Sequence, residues 1–269
     1  MISFPNAKIN LGLNIIEKRP DGFHNLESCF YPVDWQDILE ILPSNTLKFQ
    51  SSGLSIPEDG KDNLCLRAYH LLREDFDLSP VHIHLHKVIP IGAGLGGGSA
   101  DAAFTIKNLN QLFNLNLDTD AMQNYARQLG SDCAFFIENT PKYCFGKGDQ
   151  FADIDINLKA KFLVLVYPAT HVSTGEAYAG IALKHSTMSI QEIFQKETNE
   201  WKNLLKNDFE PQIFAKYPSI AQLKNQLYEQ GAIYASMTGS GSTLFGIFEA
   251  PVELSLPQNY SIFSQTLSL

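Results

Sequence analysis

The sequence predicts a mixed α+β protein. Residues alternate between apolar and polar from Ile9 to Ile15 and again from Val81 to Ile89, which is the period of half-buried strands. The second alternation ends at a proline and a glycine-rich turn, and the residues from Ser99 to Leu112 then have the spacing of an amphipathic helix. A strand, a glycine loop and a helix therefore follow one another directly.

The rest of the chain continues this mixture. Strands are also predicted at residues 37–42, 46–50, 162–167 and 244–248, and helices at residues 63–75, 118–129 and 220–230. The stretch 184–207 is polar and is predicted to be helical or loose. The apolar pattern restarts after Asp155, so we expect two domains, at residues 1–155 and 156–269.

Composition excludes several functional classes. The formal net charge of -9 opposes general binding to nucleic acid, because such binding needs a positive surface. The four cysteines form no CxxC pair, which indicates ordinary reduced thiols. The first residues lack a signal-peptide pattern, and there is no run of about 18 apolar residues. We expect a cytoplasmic protein that binds neither nucleic acid nor a membrane.

The glycine loop indicates an anion site. Residues Pro90 to Ser99 include five glycines between a strand and a helix, so backbone amides can approach a ligand at the helix N-terminus. Such a loop can hold a polyphosphate without a positive net charge. The Walker A pattern fails, because Gly98 is followed by Ser99 and Ala100 rather than by lysine. The dinucleotide-binding spelling is matched by residues 92–97, but the preceding residues lack strict strand–helix alternation.

Six short segments of the chain stand in the order that one known family requires. They are residues 5–11 (Pro-Asn-Ala-Lys-Ile-Asn-Leu), 21–24 (Asp-Gly-Phe-His), 90–100 (proline, the glycine run, serine and alanine), 129–132 (Leu-Gly-Ser-Asp), 172–178 (Val-Ser-Thr to tyrosine) and 237–242 (Met-Thr-Gly-Ser-Gly-Ser). This set resembles the motifs of the GHMP kinases over nearly the whole chain. Residues 21–24, and the additional glycine in the loop at residues 90–99, resemble the motifs of the branch that phosphorylates 4-diphosphocytidyl-2-C-methyl-D-erythritol.

The resemblance implies a fold and a reaction. The fold is the two-domain GHMP kinase architecture, with a ribosomal-protein-S5-domain-2-like N-terminal domain, a ferredoxin-like C-terminal domain and the active site in the cleft between. The reaction is ATP-dependent phosphorylation of the 2-hydroxyl of the cytidylated acceptor, in non-mevalonate isoprenoid precursor biosynthesis. The expected small-molecule partners are ATP with Mg²⁺ and this acceptor, and the chain is expected to be a monomer or a homodimer.

The resemblance also implies residue roles. Asp132 is the expected general base and Lys8 its partner, which favours the ionised carboxylate and stabilises developing charge. The residues expected to bind ATP are Asn63, Pro90, Gly92, Ala93, Gly94, Leu95, Gly96, Gly97, Gly98 and Ser99. The residues expected to bind the acceptor are Asn10, Phe23, His24, Thr174, Tyr178, Gly239, Ser240 and Gly241.

Some of these roles have plainer alternatives. Asn63 and Ser99 could each act only as a helix N-cap. Phe23 and Tyr178 are expected to offer aromatic faces to the cytosine, but could be core aromatics, with His24 a turn residue. Phe23 stands where the branch has tyrosine, so the phenolic hydrogen bond is lost.

Two other functions and a metal site are also compatible with parts of the sequence. Another GHMP kinase, of the mevalonate or homoserine type, is disfavoured by residues 21–24. A nucleotide-binding protein without turnover is disfavoured because both Lys8 and Asp132 are present. His82, His84 and His86 share one strand face and could bind a metal, but no carboxylate or cysteine accompanies them, so we expect a polar outer face and no metal site.

Overall fold

The computed structural model describes residues 1–56, 63–181 and 188–268, which form both strands and helices. The strands are β1 (Ile2–Ser3), β2 (Asn6–Lys18), β3 (His24–Gln36), β4 (Ile38–Pro43), β5 (Lys48–Gly53), β6 (Val81–Lys87), β7 (Lys142–Phe145), β8 (Gln150–Asp153), β9 (Phe162–Tyr167), β10 (Tyr234–Met237), β11 (Leu244–Phe248) and β12 (Ser261–Thr266). The α-helices are α1 (Leu64–Asp75), α2 (Gly97–Leu112), α3 (Thr119–Leu129), α4 (Phe135–Glu138), α5 (Thr174–Ala179), α6 (Ile190–Phe194), α7 (Trp201–Leu204), α8 (Glu210–Lys216) and α9 (Pro218–Glu229).

These elements form two compact units that are interleaved in sequence. The first unit contains Met1–Lys8, Pro32–Ile91 and Gly96–Thr140, and the second contains Ile9–Tyr31, Gly92–Leu95 and Pro141–Leu269. The long strands β2 and β3 each contribute residues to both units. The division of the chain near Asp155 stays a prediction, and this residue lies within the second unit.

The first unit is built on a four-stranded sheet of order β1-β4-β6-β5. Strand β5 runs parallel to β6, and the other neighbours are antiparallel. Val81, Ile83 and Leu85 are completely buried, whereas the histidine that follows each of them is half-buried. The alternation predicted for β6 is therefore present, and it places the histidines on the outer face.

The helices of this unit begin and end close to the predicted positions. Helix α1 starts after Asn63, whose side chain accepts a hydrogen bond from the amide of Cys65 at 2.8 Å. Helix α2 begins two residues before the expected Ser99, because Gly96 has a φ of 72° and turns the chain into the helix. The short helix α4 follows shortly after Asp132, and its first three residues are buried.

The second sheet has the order β2-β3-β7-β8. The turn between β2 and β3 is closed by a hydrogen bond from the Arg19 amide to the Phe23 carbonyl, at 2.8 Å. Periodicity did not predict β3, because Ser28 to Tyr31 are all buried and Pro32 follows them. A strand that is buried on both faces loses the alternation by which strands are recognised.

The second unit also contains an antiparallel sheet of order β10-β11-β9-β12. Strand β9 is the continuous apolar strand expected at residues 162–167, and Leu163 to Val166 are buried. Strand β12 was not predicted, because it is an edge strand with a largely exposed polar surface. Within the described ranges, no helix is long and apolar enough to cross a membrane.

Candidate active site

Lys8 and Asp132 lie side by side within the first unit. Lys8 belongs to β2 and is 3% exposed, and Asp132 follows α3 in the chain. The Lys8 Nζ and Asp132 Oδ2 atoms are 3.3 Å apart, and about a third of the Asp132 side chain (32%) is exposed. A buried ammonium therefore faces a carboxylate that solvent, or a substrate, can reach.

The aliphatic part of Lys8 packs against the glycine loop. A Cβ atom placed on Gly96 would lie 3.2 Å from both the Cγ and the Cε of Lys8, and 3.1 Å from Phe136. This packing brings the Lys8 side chain next to the residue that starts α2. The ion pair and the helix N-terminus are thus neighbours, which is the arrangement expected where phosphate charge has to be neutralised.

The loop itself needs glycine at defined positions. Gly92, Gly94 and Gly96 have φ values of 64°, 79° and 72°, in the region that side chains with a Cβ rarely adopt. At Gly94 a Cβ would also fall well inside 3.0 Å of the Thr238 carbonyl oxygen. At Gly98, by contrast, the nearest atom would be Leu64 Cδ1 at 3.8 Å. Packing within the protein therefore explains why residue 94 is glycine, but it does not explain why residue 98 is glycine.

The remaining residues expected to bind ATP lie in the glycine loop, at the start of α2 and at the start of α1. Pro90, Ala93 and Leu95 are buried and support the loop. Asn63 is the N-cap of α1, which is the alternative role that the sequence offered for it. Ser99 is the third residue of α2, so it is not the N-cap of this helix.

Ser99 and Cys133 interact beside Asp132. Burial raises the pKa of the Cys133 thiol to about 12, and a hydrogen bond with Ser99 lowers it in part. Cys133 and Ala134 stand where the family pattern has valine and proline. Ala134 has a φ of -64°, which is the value that a proline would impose, so the local backbone is retained.

The residues expected to bind the acceptor include two stacked rings and one exposed ring, all in the second unit. The rings of His24 and Tyr178 are stacked, with centroids 4.8 Å apart and planes at 24°. Tyr178 also contacts the ring of Phe209 edge-on, at 4.9 Å. Phe23 is 54% exposed, and the Lys147 Nζ lies 5.5 Å from its ring centroid. The stacked pair leaves no space for a base between its two rings, so Phe23 presents the accessible aromatic face.

Asn10, Thr174 and the loop Gly239–Gly241 are also close to one another within this unit. The backbone amide of Asn10 donates to Thr238 Oγ1 at 3.0 Å, and a Cβ on Gly239 would lie 3.5 Å from Asn10 Oδ1. The hydroxyls of Thr174 and Ser240 are 3.4 Å apart. These residues therefore surround one small polar region.

Sequence reasoning missed the residues that hold the Gly239–Gly241 loop. The Asn207 side chain is buried and donates to the carbonyl oxygens of Met237 and Gly239, at 2.7 and 2.9 Å. Thr238 Oγ1 donates to the carbonyl oxygen of Gly94 at 3.1 Å. Asn207 lies at the end of a polar stretch, where burial of an amide has no sequence signal.

A buried charged cluster beside the glycine loop was also missed. Lys87, at the end of β6, forms ion pairs with Asp37 and with Asp101 of α2, the second at 2.8 Å. All three side chains are almost completely buried. Burial raises the pKa of Asp101 to about 7, although Lys87 acts in the opposite direction.

The histidine row on β6 makes hydrogen bonds with the neighbouring strand. His82 Nε2 lies 2.9 Å from Gln50 Oε1, and Ser52 Oγ lies 3.0 Å from His84 Nε2 and 2.9 Å from His86 Nδ1. Within residues 1–56, 63–181 and 188–268, no three histidine, cysteine or carboxylate side chains are grouped as metal ligands. These contacts are those of a polar outer sheet face.

Comparison with known proteins agrees with this arrangement. Residues 63–139 match the family described as the GHMP kinases N terminal domain, and residues 189–256 match the family described as GHMP kinases C terminal. A protein of Cytophaga hutchinsonii named 4-diphosphocytidyl-2-C-methyl-D-erythritol kinase is 56% identical over 254 residues, which cover 94% of each chain. A protein of the same name from Bacteroides fragilis is 52% identical and is covered to 92%, as is this chain.

Solved structures show the same fold. A crystal structure of 4-(cytidine 5'-diphospho)-2C-methyl-D-erythritol kinase superposes with a TM-score of 0.81 at 29% identity, covering 93% of this chain and 91% of the other. The mevalonate kinase of Methanococcus jannaschii has a TM-score of 0.71 at 16% identity, with 100% and 98% covered. The second likeness concerns the fold alone. The α+β fold, the two family matches and these relatives together show that the chain belongs to the GHMP kinase family.

Proposed function

We propose that this chain transfers the γ-phosphoryl group of ATP to the 2-hydroxyl of 4-diphosphocytidyl-2-C-methyl-D-erythritol, a step in the non-mevalonate route to isoprenoid precursors. The observation that carries the proposal is the pair of Lys8 and Asp132, 3.3 Å apart and adjacent to Gly96 of the glycine loop. The names of the relatives at 52–56% identity support the same acceptor.

Asp132 is the general base in this proposal. Its carboxylate is partly exposed, so an acceptor hydroxyl can donate a proton to it as the oxygen attacks the γ-phosphorus. The Lys8 ammonium, held in place by burial, lies 3.3 Å from this carboxylate and stabilises negative charge that develops on the transferred group. Direct in-line transfer needs no covalent intermediate on the protein.

The glycine loop binds the triphosphate. Its backbone turns at Gly92, Gly94 and Gly96 and then enters α2, so that backbone amides and the positive end of the helix dipole meet the phosphates. The open space around Gly98 would let phosphate oxygens approach the backbone. Asn63, at the N-cap of α1, is the proposed contact for the adenosine.

Mg²⁺ would be held mainly by the nucleotide. In the described part of the chain no carboxylate cluster could form an all-protein cage, and Mg²⁺ commonly takes only one or two protein ligands beside phosphates and water. The Ser99 hydroxyl in the first turn of α2 is the fitting protein donor. When bound, the ion would neutralise phosphate charge.

The acceptor's cytosine binds at the exposed aromatic face of Phe23. The His24 imidazole, stacked on Tyr178, is held where it can exchange hydrogen bonds with the edge of the base. Asn10 and Thr174, with residues 239–241, contact the methylerythritol hydroxyls and the diphosphate. We predict that Phe23→Ala and His24→Ala each raise the KM for the acceptor and leave the KM for ATP unchanged. An unchanged acceptor KM in both variants would contradict the assignment of Phe23 and His24 to the cytosine site.

The test of the function is an initial-rate assay with purified protein, Mg-ATP and three separate acceptors. We expect turnover of 4-diphosphocytidyl-2-C-methyl-D-erythritol and none of mevalonate or homoserine. Turnover of another acceptor would agree with the proposed ATP site but contradict the proposed cytosine site. Binding of ATP without turnover of any acceptor would show a nucleotide-binding protein instead.

A further inference from the structure

The buried cluster of Lys87, Asp37 and Asp101 joins the two ends of the glycine loop. Asp37 Oδ1 accepts hydrogen bonds from the amides of Val88 and Ile89, at 2.6 and 2.9 Å, just before the loop. Lys87 pairs with both carboxylates, and Asp101 belongs to α2, just after the loop. All of these residues lie in the first unit.

The Lys87 ammonium lies directly against the first turn of α2. A Cβ on Gly97 would lie 3.3 Å from Lys87 Nζ and 3.0 Å from Ile89 Cγ2. Gly97 therefore lets the backbone of this turn approach the ammonium closely. The position of the amides that follow depends on where the cluster holds the strand and the helix.

Stability alone does not account for these charges. Burying ions costs free energy, and replacing a buried ionic group by uncharged residues of similar volume is often neutral or stabilising. Here the cost is visible, because Asp101 Oδ1 is buried and has no hydrogen-bond partner in the described part of the chain. A cluster kept at such a cost is better explained by the geometry that it imposes.

We propose that Lys87, Asp37 and Asp101 are positioning residues, which hold the start of α2 at the distance from β6 that the loop needs to bind the triphosphate of ATP. The proposal rests on the proposed function, since it takes the loop to be the ATP site. None of the three residues touches a substrate in this proposal. Their loss should therefore weaken ATP binding more than it affects stability or binding of the acceptor.

The experiment uses two variants and a matched control. D101N keeps the size of the side chain and the Lys87–Asp37 pair, and the neutral triple variant K87M/D37N/D101N removes all three charges. N108A is the control, because Asn108 is also a buried polar residue of α2, bonded to Ser3 Oγ at 2.7 Å, but lies two turns beyond Asp101. Thermal unfolding, KM for ATP, KM for the acceptor and binding of a non-hydrolysable ATP analogue are measured for each.

We expect the triple variant to unfold at or above the temperature of the wild type and its KM for ATP to rise by about tenfold or more, because small displacements of positioned groups are costly. The acceptor KM should stay within about twofold, D101N should show a smaller ATP effect, and N108A should lose stability without a change in ATP binding. If the triple variant does not fold, D101N decides the matter.

The proposal is overturned if folded D101N and triple variants bind ATP as the wild type does, or if both KM values rise equally. Failure of the proposed function would look different. In that case the wild-type protein itself would not bind the ATP analogue or would not phosphorylate the acceptor.

Discussion

The substitution Gly98→Ala tests whether this glycine is needed for packing of the protein or for binding of the nucleotide. Gly98 is the second residue of α2 and is exposed, and in the described part of the chain the added methyl group would meet only Leu64 Cδ1, at 3.8 Å. Alanine in a helix is favoured over glycine by about 0.5–1 kcal/mol, so G98A should stabilise the protein. For a protein of this size the melting temperature should rise by about 1–4 °C.

The same methyl group should weaken nucleotide binding. It would stand where the proposed site needs phosphate oxygens to approach the backbone amides, and loss of one hydrogen bond to a charged group costs about 1.5–3 kcal/mol. The Kd for a non-hydrolysable ATP analogue, measured by calorimetry, should rise by roughly 10- to 100-fold. Thermal unfolding of the same samples gives the stability.

Gly175→Ala is the matched control for this experiment. Gly175 lies in α5, and an added Cβ would meet no atom of the described residues within 4 Å. G175A should therefore raise the melting temperature in the same way and leave the affinity for the ATP analogue unchanged. A G98A protein that is more stable and binds the analogue with wild-type affinity would refute the assignment of the loop.

Three further substitutions test other parts of the site. D132N should lower turnover by about 10²- to 10⁴-fold while binding of the ATP analogue is retained, and steady-state rates close to those of the wild type would exclude Asp132 as the base. G94A should destabilise the fold by about 2–4 kcal/mol, because Gly94 has a positive φ and its Cβ would meet the Thr238 carbonyl; an unchanged unfolding midpoint in denaturant would contradict this. N207D replaces two donated hydrogen bonds by repulsion from two carbonyl oxygens, so stability should fall by about 1–3 kcal/mol and the KM for the acceptor should rise. An N207D enzyme with the wild-type acceptor KM would show that Asn207 has only a structural role.

The elements that the sequence predicts well are those with one buried face. Strand β6 and helices α1 and α3 show clear periodicity, and they begin and end within about two residues of the expected positions. Strand β3 was missed because it is buried on both sides in its middle, and β12 because it is exposed along its length. Periodicity records the contrast between two faces, and neither strand has that contrast.

The candidate site divides in a similar way. Residues that would touch a substrate belong to short motifs, and the resemblance pointed to Lys8 and Asp132 although they are distant in the sequence. Residues that hold those motifs in place, such as Lys87 and Asn207, have no motif of their own. Their importance lies in being polar and buried, and burial of a polar side chain becomes visible only in the folded chain.

The interleaving of the two units has a consequence for the order in which the protein can fold during synthesis. The first unit is complete once Thr140 has been made, whereas Ile9–Tyr31 packs with segments that follow Pro141. The chain emerges from the ribosome N-terminus first, so this early segment must wait for the last part of the chain to be translated. A released fragment of residues 1–140 should therefore protect the amides of α2 from hydrogen exchange but leave those of Ile9 to Lys18 open.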